Sequence, residues 1–99
     1  MSEAVSRDII WVWPHRRSMR EIAADVAARH GLTLDELKSP QRARRIAWPR
    51  QEAMKEIYDT GRFSLPQIGG FFGGRDHTTV LHAIRAHAKR LAEAQGVAA

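Results

Sequence analysis

The stretch "FFGGRDHTTVLHAIRAHAKR", residues 71–90, decides how this chain folds. Its pair Gly73 and Gly74 permits a tight corner, because glycine enters the left-handed backbone region at no steric cost. Asp76 follows as a helix N-cap, its carboxylate placed to accept from a first-turn N–H. Val80, Leu81, Ile84, Ala88 and Leu91 then recur at helical spacing, which predicts a helix to about Ala94, before Gly96. Just upstream, Ser64 and Gln67 form a capping box with Pro66 inside the first turn, so a short helix starts there and ends within 69–74. Two helices joined by a short glycine-bearing turn have the form of a helix-turn-helix. In that motif the second helix enters the major groove of DNA with its leading residues nearest the bases. Here those residues are His77, Thr78 and Thr79. Threonine offers a hydroxyl for phosphates or base edges and a methyl for the thymine methyl. The plainer alternative is that Thr78 and Thr79 are only first-turn residues.

The rest of the chain punctuates in the same way. Ser18 with Glu21, and Thr33 with Glu36, repeat the capping box. The first predicts a helix with Met19, Ile22, Ala23, Val26 and Ala27 on its apolar face, stopped by Gly31; the second predicts a short helix, Leu34 to about Lys38, ended by Pro40. A further helix is expected from about Ala47 to Asp59, with Ala53, Met54, Ile57 and Tyr58 as its buried stripe and Gly61 as its stop. Its start is set by Pro49, which a helix tolerates in its first turn. No segment alternates convincingly beyond residues 9–13. The expected class is all-α, with about five helices. Residues 18–95 form the domain, after an apolar and basic extension at 1–17 and before a tail at 96–99.

Composition narrows the partners. The 99 residues suit one small domain with a modest core. Sixteen Lys and Arg against eleven Asp and Glu give a net charge of +5, and lysine occurs only at Lys38, Lys55 and Lys89, so most of the cations are arginine. Arginine is the better bidentate ligand for phosphate and guanine. A small basic domain most simply seeks a polyanion, nucleic acid first. The sequence has no cysteine, which removes disulfides and thiolate zinc sites and fits a reducing cytoplasm. The longest apolar run, "IIWVW" at residues 9–13, is far below the roughly 20 residues that span a bilayer, so no membrane role is expected.

The string "GGRDHTTVLHA", residues 73–83, closely resembles the signature of the C-terminal DNA-binding domain of the bacterial replication initiator DnaA. "SPQRARRIAWPRQEAM", residues 39–54, resembles that domain's basic loop and following helix, and "SLPQIGGFFGGRDHTTV", residues 64–80, resembles its helix-turn-helix. The likeness covers roughly residues 18 to 92 and implies a Trp-repressor-like helix-turn-helix that binds short asymmetric duplex sites, the DnaA boxes. By matching position, it implies that Arg42 enters the minor groove from the basic loop. Arg50 and Gln51 correspond to phosphate contacts, and Leu65 and Pro66 to backbone contacts. Asp76, His77, Thr78 and Thr79 correspond to major-groove readers, supported by Arg75 and His82.

Elementary chemistry supports the same positions. Arg42, Arg44 and Arg45 follow Pro40 in an expected loop, and such an arm suits the narrow, strongly negative minor groove. Leu65 and Pro66 open a helix whose free N–H groups and dipole attract phosphate. Asp76 either caps its helix or accepts from a cytosine or adenine amino group. The chain departs from the family at Pro40 and Gln41, where more basic residues are usual, and at Trp48, which stands where another arginine is common. No G-x-x-x-x-G-K-[ST] loop occurs in the sequence, so neither ATP binding nor any other cofactor is expected.

The expected partner is therefore double-stranded DNA at DnaA-box-like sites, for a cytoplasmic, nucleoid-associated protein acting in replication initiation or its regulation. Another replication protein is a further candidate partner, and the oligomeric state is left open. Three rival readings remain: a transcription regulator using similar sites, a protein-interaction module acting through residues 9–13, and an enzyme. The enzyme reading rests on five histidines, but His82 and His87 do not have helical i, i+4 metal spacing and no H-E-x-x-H string occurs. Neither catalytic nor metal residues are expected.

Overall fold

The computed structural model describes residues 17–96, and the apolar run at 9–13 and the tail at 97–99 lie outside that range. Five α-helices follow in order, with no strand among the described residues: α1 (Met19–Arg29), α2 (Leu34–Lys38), α3 (Arg44–Asp59), α4 (Leu65–Phe71) and α5 (His77–Ala94). No helix among them is long and apolar enough to cross a membrane.

Three of the starts are closed by reciprocal capping boxes, Ser18/Glu21, Thr33/Glu36 and Ser64/Gln67, with both hydrogen bonds of each box present. α3 lies at the centre and packs against α1 on one side and α5 on the other, while α4 packs on α5. Fully buried Val26, Leu37, Met54, Ile57, Ile68, Phe72 and Val80 bring all five helices, and the corner between α4 and α5, into one core. Burying a side chain such as Phe72 or Leu37 contributes about 1.5–3 kcal/mol each.

Three details differ from expectation. α3 begins at Arg44 rather than near Ala47, so Arg44 and Arg45 belong to a helix and not to a loop. Ile46, completely buried, holds the extra turn down, and the N–H groups of Ile46 and Ala47 both donate to the Ala43 carbonyl (2.9 and 2.7 Å). Pro49 is consequently inside the helix, in its second turn, and buried. It forgoes the bond to the Arg45 carbonyl, but its fixed φ is already helical. Second, Tyr58 is exposed; the buried stripe of α3 runs through Ile46, Pro49, Arg50, Ala53, Met54 and Ile57. Third, no residue of α5 beyond Ile84 is buried, so Leu91 sits outside the core on a helix that outruns the bundle.

Candidate nucleic-acid interface

The corner between α4 and α5 is set by backbone geometry. The N–H groups of Gly74 and Arg75 both donate to the carbonyl of Gly69 (3.0 and 2.8 Å), while Gly73 and Gly74 take φ of +87° and +79°. A Cβ on Gly69 would lie 2.1 Å from the Arg75 carbonyl oxygen, so the close approach of α4 to the start of α5 requires glycine there. Sequence reading placed Gly69 only within a helix ending. Its packing role has no local signature beyond the adjacent Gly70.

Asp76 caps α5 by accepting from the Thr78 N–H at 2.9 Å, and that bond holds its carboxyl below the usual range. His77 Nδ1 lies 3.6 Å from Asp76 Oδ1. His77, Thr78, Thr79 and His82 are all exposed. Thr79 and His82, one turn apart, join Arg50, Gln51 and Arg75 in lining a hollow of about 300 Å³ between α3 and α5. At the start of α4, Pro66 has no N–H, and the Ser64 hydroxyl takes the N–H of Gln67 at 3.2 Å. Among residues 65–67 this leaves Leu65 as the one N–H outside the cap.

Arg42 is exposed in the connection between α2 and α3, as expected. Arg44 and Arg45 sit instead in the first turn of α3, with no acidic residue there and no side-chain cap from Ala43. Cations at a helix N-terminus oppose the dipole by about 0.3–1 kcal/mol each. Three arginines around an uncapped, positive helix end make a surface that an anion would stabilise. Trp48 projects from the next turn, with the Arg44 and Arg90 guanidinium carbons 5.2 and 4.2 Å from its ring centroid. It therefore packs between cations. Arg90 also donates to Gln51 Oε1 at 2.6 Å. Nothing in the local sequence marks Arg90, because its partners lie two helical elements upstream.

Arg50, expected as a phosphate contact, is turned inward. Only 7% exposed, its Nε donates to the Leu37 carbonyl (2.7 Å) and its Nη2 to the Gln41 carbonyl (2.8 Å). Burial, with the Arg75 charge nearby, pushes its pKa down to about 10, so it remains a cation at neutral pH. Arg75 is similarly engaged: Nη2 donates to Ser39 O (2.9 Å) and Nη1 to Phe72 O, with Lys38 O at 3.5 Å. Desolvation lowers its pKa as well. The physical demand comes from α2, whose terminal carbonyls have no intrahelical donors.

A compact all-α bundle with a glycine-cornered α4–α5 pair and a basic approach to α3 is a helix-turn-helix DNA-binding domain. The family described as "Bacterial dnaA protein helix-turn-helix" matches residues 19–86, and this chain belongs to that family. It is 42% identical over 89 residues to the chromosomal replication initiator protein DnaA of Francisella tularensis subsp. novicida (strain U112), and equally to that of Francisella philomiragia subsp. philomiragia. Each match covers 90% of this chain and 18% of the relative, so the chain spans under a fifth of those proteins' length.

Proposed function

We propose that this domain binds duplex DNA sequence-specifically at DnaA-box-like sites and acts in replication initiation or its regulation. In this reading α5 enters the major groove, and His77, Thr78 and Thr79 meet base edges, with His82 and Arg75 in support. Arg42 reaches into the adjacent minor groove. Arg44, Arg45, Gln51 and the start of α4 at Leu65 and Pro66 meet phosphates. The single observation that carries the reading is the exposed trio of His77, Thr78 and Thr79 at the leading end of a capped helix, on a corner whose geometry depends on Gly69, Gly73 and Gly74. The uncapped, arginine-rich start of α3 supports it from the other side.

Arg42 supplies the test. A minor-groove arginine reads width and A·T content, so Arg42→Ala is expected to lower affinity and relax preference on one side of the site only. Arg42→Lys should recover part of this, since lysine keeps the charge but loses the planar fork. Both variants are titrated by fluorescence anisotropy against matched, one-sided mutant and scrambled duplexes at several salt concentrations. Uniform weakening across sequences, a salt slope reduced by about one and full rescue by lysine would place Arg42 on a phosphate instead.

A further inference from the structure

We infer that Arg50 and Arg75 act as positioning residues, clamping the strand of backbone before Arg42 so that the minor-groove and major-groove readers are held in fixed register. This rests on the two-groove reading proposed above. Arg50 bridges the carbonyls of Leu37 and Gln41, so it pins both the end of α2 and the residue immediately before Arg42. Arg75 donates to the Ser39 carbonyl between those two points. Arg75 also immediately precedes Asp76, the N-cap of α5, and its Nη1 holds the Phe72 carbonyl inside the turn. One side-chain pair thus links the leading end of α5 to the base of the arm that carries Arg42. Four of the five residues 37–41 offer carbonyls at these two guanidiniums, or lie within reach of them. A loop of this kind, otherwise short of backbone partners, costs binding energy whenever it must be ordered on the DNA. A clamp of charge-assisted bonds orders it beforehand. The guanidinium fork suits this task because it reaches two carbonyls at once, which an ammonium at the same position does not.

The test compares Arg50→Lys, Arg75→Lys and Arg42→Ala, singly and combined, in the full chain. Arg50→Lys and Arg75→Lys are expected to relax preference on the same side of the site as Arg42→Ala. Each should add less than about twofold when Arg42→Ala is already present, because variants acting through one group are not additive. Without DNA, backbone order parameters at Gln41 and Arg42 should fall from about 0.85 to below about 0.6 in the clamp variants. A direct phosphate role predicts otherwise: lysine keeps the charge, so affinity, salt slope and site preference stay close to the parent's and the loop is unchanged. That set of results overturns the clamp. If buried Arg50 does not tolerate lysine and the variant unfolds, the half-buried Arg75 carries the same comparison. If Arg42→Ala itself leaves site preference intact, the two-groove reading fails. The order parameters then decide the clamp alone, loss of order supporting it and no change refuting it.

Discussion

Gly69 and Gly70 stand side by side in α4, yet replacing each with alanine should change stability in opposite directions. In a helix interior alanine is favoured over glycine by about 1 kcal/mol. At Gly70 a new Cβ meets nothing within 4 Å, so that gain is expected nearly in full. At Gly69 the Cβ would sit 2.1 Å from the Arg75 carbonyl oxygen, 3.1 Å from its carbon and 3.4 Å from Val80 Cγ2. The obstacle is backbone and cannot swing away. Relieving it requires α4 and the start of α5 to separate, at an overpacking cost of about 1–3 kcal/mol. Separation also weakens the two bonds from Gly74 and Arg75 to the Gly69 carbonyl, at roughly 1 kcal/mol each. Steric cost exceeds the propensity gain, and a net loss of about 2–4 kcal/mol is expected. For a domain of this size each kcal/mol moves the melting temperature by about 4–8 °C, so Gly69→Ala should melt at least ~8 °C below the parent, and Gly70→Ala about 4–8 °C above it. Thermal and urea unfolding followed by far-UV circular dichroism measures both. A Gly69→Ala protein as stable as Gly70→Ala would refute the close approach of the two helices.

The remaining expectations are more local. Thr79→Ala and His77→Ala should each lose about 1–3 kcal/mol of discrimination between a DnaA box and a scrambled duplex while helix content is unchanged, and wild-type specificity in either removes that residue from the readers. Asp76, Glu21 and Glu36 are held below the usual carboxyl range chiefly by backbone N–H groups, of Thr78, Ser18 and Thr33 respectively. Their stabilisation is therefore full above the unfolded carboxyl pKa of about 4 and is lost as pH falls through the lower folded values. Melting temperature should drop across that acid window, with a smaller drop in Asp76→Ala, and an identical acid profile in parent and variant would show that the cap contributes nothing. We also propose that residues 18–95 suffice for DNA binding; a folded protein lacking residues 1–17 that binds no box duplex would show the boundary to be misplaced.

The helices were legible because their starts are chemical and local. Ser18, Thr33, Ser64 and Asp76 each satisfy a first-turn N–H from within three residues, so the caps can be read without knowing the fold. α3 was misread at its start because no cap marks it: Ala43 has no capping side chain, and what extends the helix is the burial of Ile46 in tertiary structure. The family resemblance and the exposed leading end of α5 both point to His77, Thr78 and Thr79. Arg50 was hidden for a physical reason. An arginine in a basic sequence is ordinarily solvated, and its inward turn answers the unpaired carbonyls of Leu37 and Gln41, 13 and 9 residues away. Leu91 and Tyr58 show the complementary limit. Periodicity says which residues share a face, but not how far along a helix that face remains covered.

A net charge of +5 describes poorly how this domain's cations are used. Arg29 is drawn into contacts with Asp25, Glu52 and Glu56, and so its charge is largely offset. Arg50 and Arg75 differ, since they are held by neutral carbonyls, and among the described residues neither has a carboxylate partner within ion-pair distance. Two like charges are thus kept partly out of water and close together, and burial first, with the Arg75 charge second, lowers the pKa of Arg50. In the free domain that arrangement is unfavourable, and the cationic first turn of α3 adds to it. A nearby phosphate backbone adds an attraction that opposes both terms, because the guanidiniums keep their full charge while their hydrogen bonds remain inside the protein. Positioning and attraction are then separate properties of the same side chains: the bonds fix where Arg42 starts, and the uncompensated charge favours the polyanion beside it.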